Sequence, residues 1–205
     1  MRRTISPAAL SGWSARGRAD IDRLIVAAAL AGERVVRLKG GDPSIFGRSA
    51  EELDACRAAG VPVAICPGIT AASAAAASLG ASLTLRGLAR KLVLVTAHAQ
   101  AGEALDLDWA ALADPRATLA IYMGKAAAGE VSRQLIAAGL PPATPVALVE
   151  NASLPSETRI ATRLDLLSLA AQTVEHDPDL VLGGIMLARR AANCSSSDYL
   201  RQLAA

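Results

Sequence analysis

Residues 34–60 read RVVRLKGGDPSIFGRSAEELDACRAAG. The Val-rich run Arg34–Leu38 predicts a short strand. Lys39-Gly40-Gly41-Asp42-Pro43 predicts a turn, because Gly, Asp and Pro each favour backbone that neither strand nor helix uses. Ser49 with Glu52 three residues later has the form of a capping box, so a helix is expected through Ala59, ended by Gly60. The unit is strand, glycine turn, helix. Upstream, Ile21, Leu24, Ile25 and Ala28 recur at helical spacing over Asp20–Ala31, and Gly32 stops them. Downstream, the apolar run Val61–Cys66 predicts a second strand, Pro67-Gly68 a turn, and Thr70 the start of an Ala-rich helix to Leu79.

A second series follows. Strands are expected at Leu92–Thr96, Thr118–Met123, Pro145–Glu150 and Leu180–Leu187, with a further one at Thr158–Thr162. Helices are expected at Asp108–Ala113, Gly129–Ala138 and Leu164–Gln172, and in the tail over Asn193–Ala205. Alternating strands and helices predict an α/β fold with a largely parallel sheet. The irregular stretch Arg86–Lys91 is the expected boundary between two small domains, residues 1–89 and 90–205.

Composition narrows the function. The chain has 205 residues, of which 52% are hydrophobic and 2% aromatic, so Ala, Leu and Val must fill a globular core. A net charge of +2, without basic runs interleaved with aromatics, argues against nucleic acid. Cys56, Cys66 and Cys194 form no CxxC pair and suit a reducing cytoplasm. His98 and His176 lack ligand spacing, so no protein-held metal is expected. No apolar signal core follows Met1-Arg2-Arg3. The uncharged stretch Val61–Leu85 is broken by Pro62, Pro67, Gly68 and Gly80 and is too weakly apolar to predict a membrane span.

In α/β folds ligands gather where strands end. The loops KGGDPSIFGR, CPGITAAS, YMGK and VENAS each follow an expected strand. Gly40 and Gly41 allow close approach of backbone, Asp42 offers an acceptor, and Thr70 offers a hydroxyl at a helix start. Each loop alone is common: GGDP is an ordinary turn, and it is neither a Walker loop nor a GxGxxG fingerprint.

Taken together, VVRLKGGDPSIFGRSAEEL, PGITAASAAAASLG, LTLRGLA, YMG and PVALVENAS resemble the uroporphyrinogen-III C-methyltransferases, within the wider tetrapyrrole methylase family. The similarity runs from about Asp20 to about Leu187. It implies two small α/β domains with an active-site cleft between them, a homodimer in the cytoplasm, S-adenosylmethionine as methyl donor, and a tetrapyrrole substrate. On matching positions, Gly40, Gly41, Asp42, Ile45, Thr70, Ala71, Met123 and the backbone of Ala152 would contact the donor. The family usually has Gly where Ala152 stands. Arg48, Glu51, Arg86 and Met123 match positions that bind or activate the tetrapyrrole, whose carboxylates suit the guanidinium fork. Arg48 and Glu51, three apart, share a helix face. Glu51 is a candidate base or a holder of Arg48.

The family normally opens with a strand and a Gly-Pro-Gly-Asp-Pro loop, then a helix and a second strand. Nothing in residues 1–18 resembles these. The first domain is therefore expected to be N-terminally incomplete, with a sheet built mainly from RVVRL and VPVAIC and with apolar surface exposed. The implied activity is methylation of uroporphyrinogen III to precorrin-2. Methylation of a later corrin precursor, or a non-catalytic ligand-binding form, are the alternatives.

Overall fold

The structure is a computed structural model that describes residues 2–5, 18–97, 105–174 and 185–188. The chain divides into two compact units, Met1–Thr70 and Ala71–Ala205.

In the first unit β1 (Arg2–Ile5) pairs in parallel with β2 (Arg34–Arg37), Arg2 opposite Arg34 and Ile5 opposite Arg37. The helices are α1 (Arg18–Leu30) and α2 (Ser49–Ala58). Their apolar positions meet at Ile25 and Cys56, with Ile21, Val26, Val35 and Val61 packed around them. Gly60, at φ +68°, ends α2 by letting the Val61 N–H turn back to the Cys56 carbonyl at 2.9 Å. Among the described residues this sheet has only two strands. Apolar side chains of this unit stay open, with Val36 47% and Val63 50% exposed.

Three expectations need correction here. Residues 61–66 form no strand; Pro62 lacks an N–H, and the run finds no ladder partner among the described residues. The second strand is instead Arg2–Ile5, from a stretch that carried no strand pattern. Ser49 does not cap α2: it is the first helical residue, and the N-cap is Arg48 in left-handed conformation, whose guanidinium has no acceptor to offer the helix N–H groups; Glu52 pairs instead with Arg37 and Lys39.

The second unit holds α3 (Ala71–Ser78), β3 (Lys91–Thr96), α4 (Trp109–Leu112), β4 (Ala117–Tyr122), α5 (Ala128–Ala137), β5 (Pro145–Glu150), β6 (Thr158–Arg163), a 3-10 turn at Leu164–Leu166, α6 (Leu167–Gln172) and β7 (Ile185–Ala188). The strand order is β3-β4-β7-β5-β6. Among the described residues of this sheet only β3 and β4 are parallel neighbours; β7 runs antiparallel to both β4 and β5, and β6 antiparallel to β5. The largely parallel sheet expected from the alternation is therefore mixed. Alternation of element types does not encode strand order, and the last strand inserts between two earlier ones.

Because β4 and β5 both oppose β7, they point the same way, as does β3. Their carboxyl ends share one edge of the sheet, where Ile185 pairs with both Tyr122 and Val149. The core lies under this sheet: Leu119, Ile121, Val131, Leu135, Val146, Leu164 and Leu167 are all at most 2% exposed. The expected strand residues 180–184, the tail over 193–205, and His98, His176 and Cys194 lie outside the described residues.

Candidate functional site

In the first unit the chain leaves β2 into the loop that carries Gly40, Gly41, Asp42 and Ile45. Three interactions fix it. Lys39 Nζ donates to the Gly47 carbonyl at 2.6 Å and lies 2.9 Å from Glu52 Oε2, so it ties the start of the loop to its end and to α2. Arg37 Nε donates to Glu52 Oε1 at 3.1 Å. The side chains of this trio are 12–20% exposed, so its charges are partly desolvated and their attraction is less screened than at an open surface. Asp42 then folds the loop on itself: its Oδ1 accepts from the Ser44 N–H at 2.7 Å and its carbonyl from the Ile45 N–H at 3.1 Å.

Asp42 also reaches 26 residues along the chain, where its Oδ2 accepts from the Gly68 N–H at 3.0 Å. This brings the Pro67-Gly68 turn onto the glycine loop. The two backbones are so close that a Cβ on Gly68 would stand 2.2 Å from the Gly41 carbonyl oxygen. Donation first from Gly68 and then from Ser44 holds the Asp42 carboxyl below its ordinary range, so it is a fixed anion at neutral pH.

Arg48 and Glu51 meet, although Arg48 precedes α2 as its left-handed N-cap instead of sharing a helix face with Glu51: Arg48 Nε donates to Glu51 Oε1 at 2.9 Å, and a second guanidinium nitrogen donates to the same oxygen. Both side chains are about half exposed, at 51% and 45%. Phe46 and Arg48 have positive φ, 51° and 54°. Backbone strain of this kind concentrates where a loop is held in one shape by its surroundings. Burial, and next the Glu52 and Glu51 carboxylates, push the Asp22 carboxyl on α1 upward.

In the second unit, Met123 follows β4 directly and is itself left-handed, at φ 55°. Ala71 opens α3, and the next residue, Ala72, donates its N–H to Tyr122 Oη at 3.2 Å. The end of β4 therefore holds the start of α3. The loop after β5 carries Ala152 between two left-handed residues, Asn151 at φ 54° and Ser153 at φ 71°. Ala152 itself is outside that region, so its Cβ costs nothing that Gly would avoid. Glu157 ties this loop down: it accepts from the Ser153 N–H at 2.7 Å and from the Ser78 hydroxyl, while Arg159 donates to the Ser78 carbonyl at 2.7 Å. The Ser78 hydroxyl first, then Ser153 and Arg159, lower the Glu157 carboxyl. Arg86 stands exposed in the turn closed by Leu85 and Ala89 and has no ion pair among the described residues.

The residues thus fall into two sets. Gly40, Gly41, Asp42, Ile45, Arg48, Glu51 and Thr70 belong to the first unit; Ala71, Arg86, Met123 and Ala152 belong to the second. Sequence reasoning missed Lys39, Glu52, Gly68, Tyr122 and Glu157. Lys39, Glu52, Gly68 and Tyr122 sit inside the quoted motifs, but nothing local names their partners. A surface depression of about 450 Å3 lies against Asp20, Arg23, Leu24 and Ala27 of α1 and includes none of the site residues. Among the described residues no group of three or more His, Cys, Asp or Glu side chains could hold a metal. No helix there is long and apolar enough to cross a membrane.

Glycine-bearing loops at strand ends, pinned by long-range hydrogen bonds, mark an α/β protein of two units. Comparison with known proteins then fixes the family. Residues 5–167 match the model of the Tetrapyrrole (Corrin/Porphyrin) Methylases, and the chain belongs to that family. It is 48% identical over 177 residues to a uroporphyrinogen-III C-methyltransferase of Paracoccus denitrificans, covering 86% of this chain and 61% of that protein. It is 45% identical to a siroheme synthase of Gluconacetobacter diazotrophicus, covering 83% of this chain and 37% of that protein. Among solved structures it resembles the uroporphyrin-III C-methyl transferase of Thermus thermophilus complexed with S-adenyl homocysteine. There the TM-score is 0.67 and the identity 34%, covering 84% of this chain and 73% of that one. The chain thus spans about three fifths of the first of these relatives and less than two fifths of the second.

Proposed function

We propose that this chain carries the methyl-transfer machinery of an S-adenosylmethionine-dependent C-methyltransferase that converts uroporphyrinogen III to precorrin-2, for sirohaem or cobalamin formation. The observation that carries the reading is the Asp42–Gly68 closure. It draws the KGGDP and PGIT segments together, backbone against backbone, and both segments lie within the stretch that matches the family. In this reading Gly40, Gly41, Asp42, Ile45 and Thr70 of the first unit, and Ala71, Met123 and Ala152 of the second, contact the donor. The similarity to the methyltransferases of Paracoccus and Thermus supports it.

The reaction is a direct displacement. A pyrrole carbon attacks the sulfonium methyl group in line, the carbon–sulfur bond breaks, and its electron pair leaves with S-adenosylhomocysteine. The methylated carbon already carries a side chain and becomes quaternary, so neutrality is restored by loss of a proton from elsewhere on the macrocycle. The protein contributes orientation and charge complementarity. Arg48 and Arg86 hold substrate carboxylates, Met123 lies beside the reacting centre, and no metal is needed. Glu51 accepts two hydrogen bonds from Arg48, which favours its orienting that guanidinium over acting as base. A homodimer, a cytoplasmic location and a division into domains at 1–89 and 90–205 belong to the same reading; sedimentation and limited proteolysis test the first and last.

The decisive assay mixes the purified 205-residue chain with donor and uroporphyrinogen III. Methylated product is expected. Arg48→Ala and Arg86→Ala should lower turnover far more than donor affinity, and Arg→Lys should also be damaging, because a point charge cannot replace the bidentate fork. Product from a later corrin precursor alone, or no binding of S-adenosylhomocysteine, would overturn the reading.

A further inference from the structure

Tyr122 ends β4, is 7% exposed, and accepts a hydrogen bond from the Ala72 N–H at 3.2 Å. The first N–H groups of any helix lack partners within it, and a buried one needs an acceptor from outside. Ala72 is fully buried, at 0% exposure, so water is a poor substitute. The helix it belongs to is weak by itself. α3 has eight residues, all Ala or Ser, without a charge in its first or last turn. Helices of this length are marginal unless tertiary contacts hold them. Polar anchors at both ends supply such contacts: Tyr122 at the start, and Glu157 with Arg159 at Ser78.

The geometry points to Tyr122 as a positioning residue for the methyl donor, an inference that rests on the functional reading above. One side chain links two of the donor-contacting positions. Its backbone leads directly into the left-handed Met123, and its hydroxyl holds the first turn of α3, where Ala71 stands. The phenol therefore sets the register between the end of β4 and the start of α3. The Ala97 N–H, donated to the Tyr122 carbonyl at 2.9 Å, fixes the backbone from the β3 side. The ring itself contributes packing that phenylalanine would keep, so hydroxyl and ring are separable.

The test is Tyr122→Phe in the full chain, read by three measurements. Calorimetric titration with S-adenosylhomocysteine should show binding weakened by about fivefold to tenfold, the size expected when a buried N–H loses its acceptor. The KM for the tetrapyrrole should stay within about twofold of wild type, because no substrate contact is removed. Hydrogen exchange of peptides covering α3 should quicken while those covering β5 and β6 stay unchanged. Unchanged affinity for S-adenosylhomocysteine, or unchanged exchange in α3, overturns the proposal. An equal rise in both substrate constants also overturns it, since that marks general loosening. A wild-type chain that fails to bind S-adenosylhomocysteine refutes the functional reading itself, a result distinct from a wild type that binds and a variant that binds equally.

Discussion

Replacing Gly68 by Ala tests how the two segments of the first unit are held together. On the native backbone the new Cβ would lie 2.2 Å from the Gly41 oxygen, 3.1 Å from the Gly41 carbonyl carbon and 3.3 Å from Asp42 Cα. All three are backbone atoms, so no side chain can swing aside. Ordinary contact begins at 3.4 Å, so the turn and the loop must part by roughly 1.2 Å. The Gly68–Asp42 hydrogen bond, now 3.0 Å, would then exceed hydrogen-bonding distance. Overpacking of this kind costs about 1–3 kcal/mol. The loss has a pH signature as well. The Asp42 carboxyl is lowered in the folded chain, so its contribution is present above the ordinary carboxylate value of 3.8 and lost as pH falls through the folded value. The gap in stability between wild type and Gly68→Ala should therefore be widest near neutral pH and narrow in acid. Urea unfolding across pH, with hydrogen exchange over residues 38–48, measures both. Gly41→Ala is the control: its Cβ would sit 3.8 Å from the Ile69 oxygen, so it costs only the strain of φ +71° and should keep the pH-dependent part. If Gly68→Ala were neutral, or if both variants shared one acid dependence, the close approach would not be what holds the loop.

Three further outcomes are expected. Glu52→Ala should destabilise the first unit by about 1–3 kcal/mol in denaturant titration, because Arg37 and Lys39 lose their shared partner while partly buried. Glu157→Gln should flatten the acid limb of a thermal-melting profile below pH 4.5, since the lowered carboxyl stabilises the folded chain above that value and stops doing so as it protonates. Thr118→Val should raise stability by up to about 1 kcal/mol, because Thr118 Oγ1 is buried without a hydrogen-bond partner among the described residues and valine has nearly the same shape.

The helices and most strands were legible in the sequence because their signals are local. Gly32, Gly60 and Gly139 mark helix ends, and the Val-rich and Ala-rich runs carry the right periods. The misses share a cause in non-local pairing. Residues 61–66 are as apolar as any strand here, yet a strand needs a ladder partner and Pro62 cannot donate to one. Arg2–Ile5 has little strand pattern but finds β2. Glu52 matched the capping-box position, but α2 begins one residue early, with Arg48 as N-cap, and Glu52 pairs with Arg37 and Lys39. The site divides in the same way. Motif residues such as Asp42 and Met123 could be named from the chain alone, whereas their anchors could not: Asp42 meets Gly68 and Tyr122 meets Ala72 across 26 and 50 residues.

The place of β7 has a consequence for how the second unit is made. Chain growth delivers β3 and β4 first, then β5 and β6, and each pair can zip together soon after it emerges. Neither pair touches the other in the sheet, because Ile185–Ala188 fills the space between them. Until those four residues leave the ribosome, synthesis yields two separate ribbons, each with an open inner edge of unmet N–H and C=O groups. Such edges are where partly made chains stick to one another. The most exposed interval for a helper chaperone to act therefore runs from the completion of β6 to the arrival of β7.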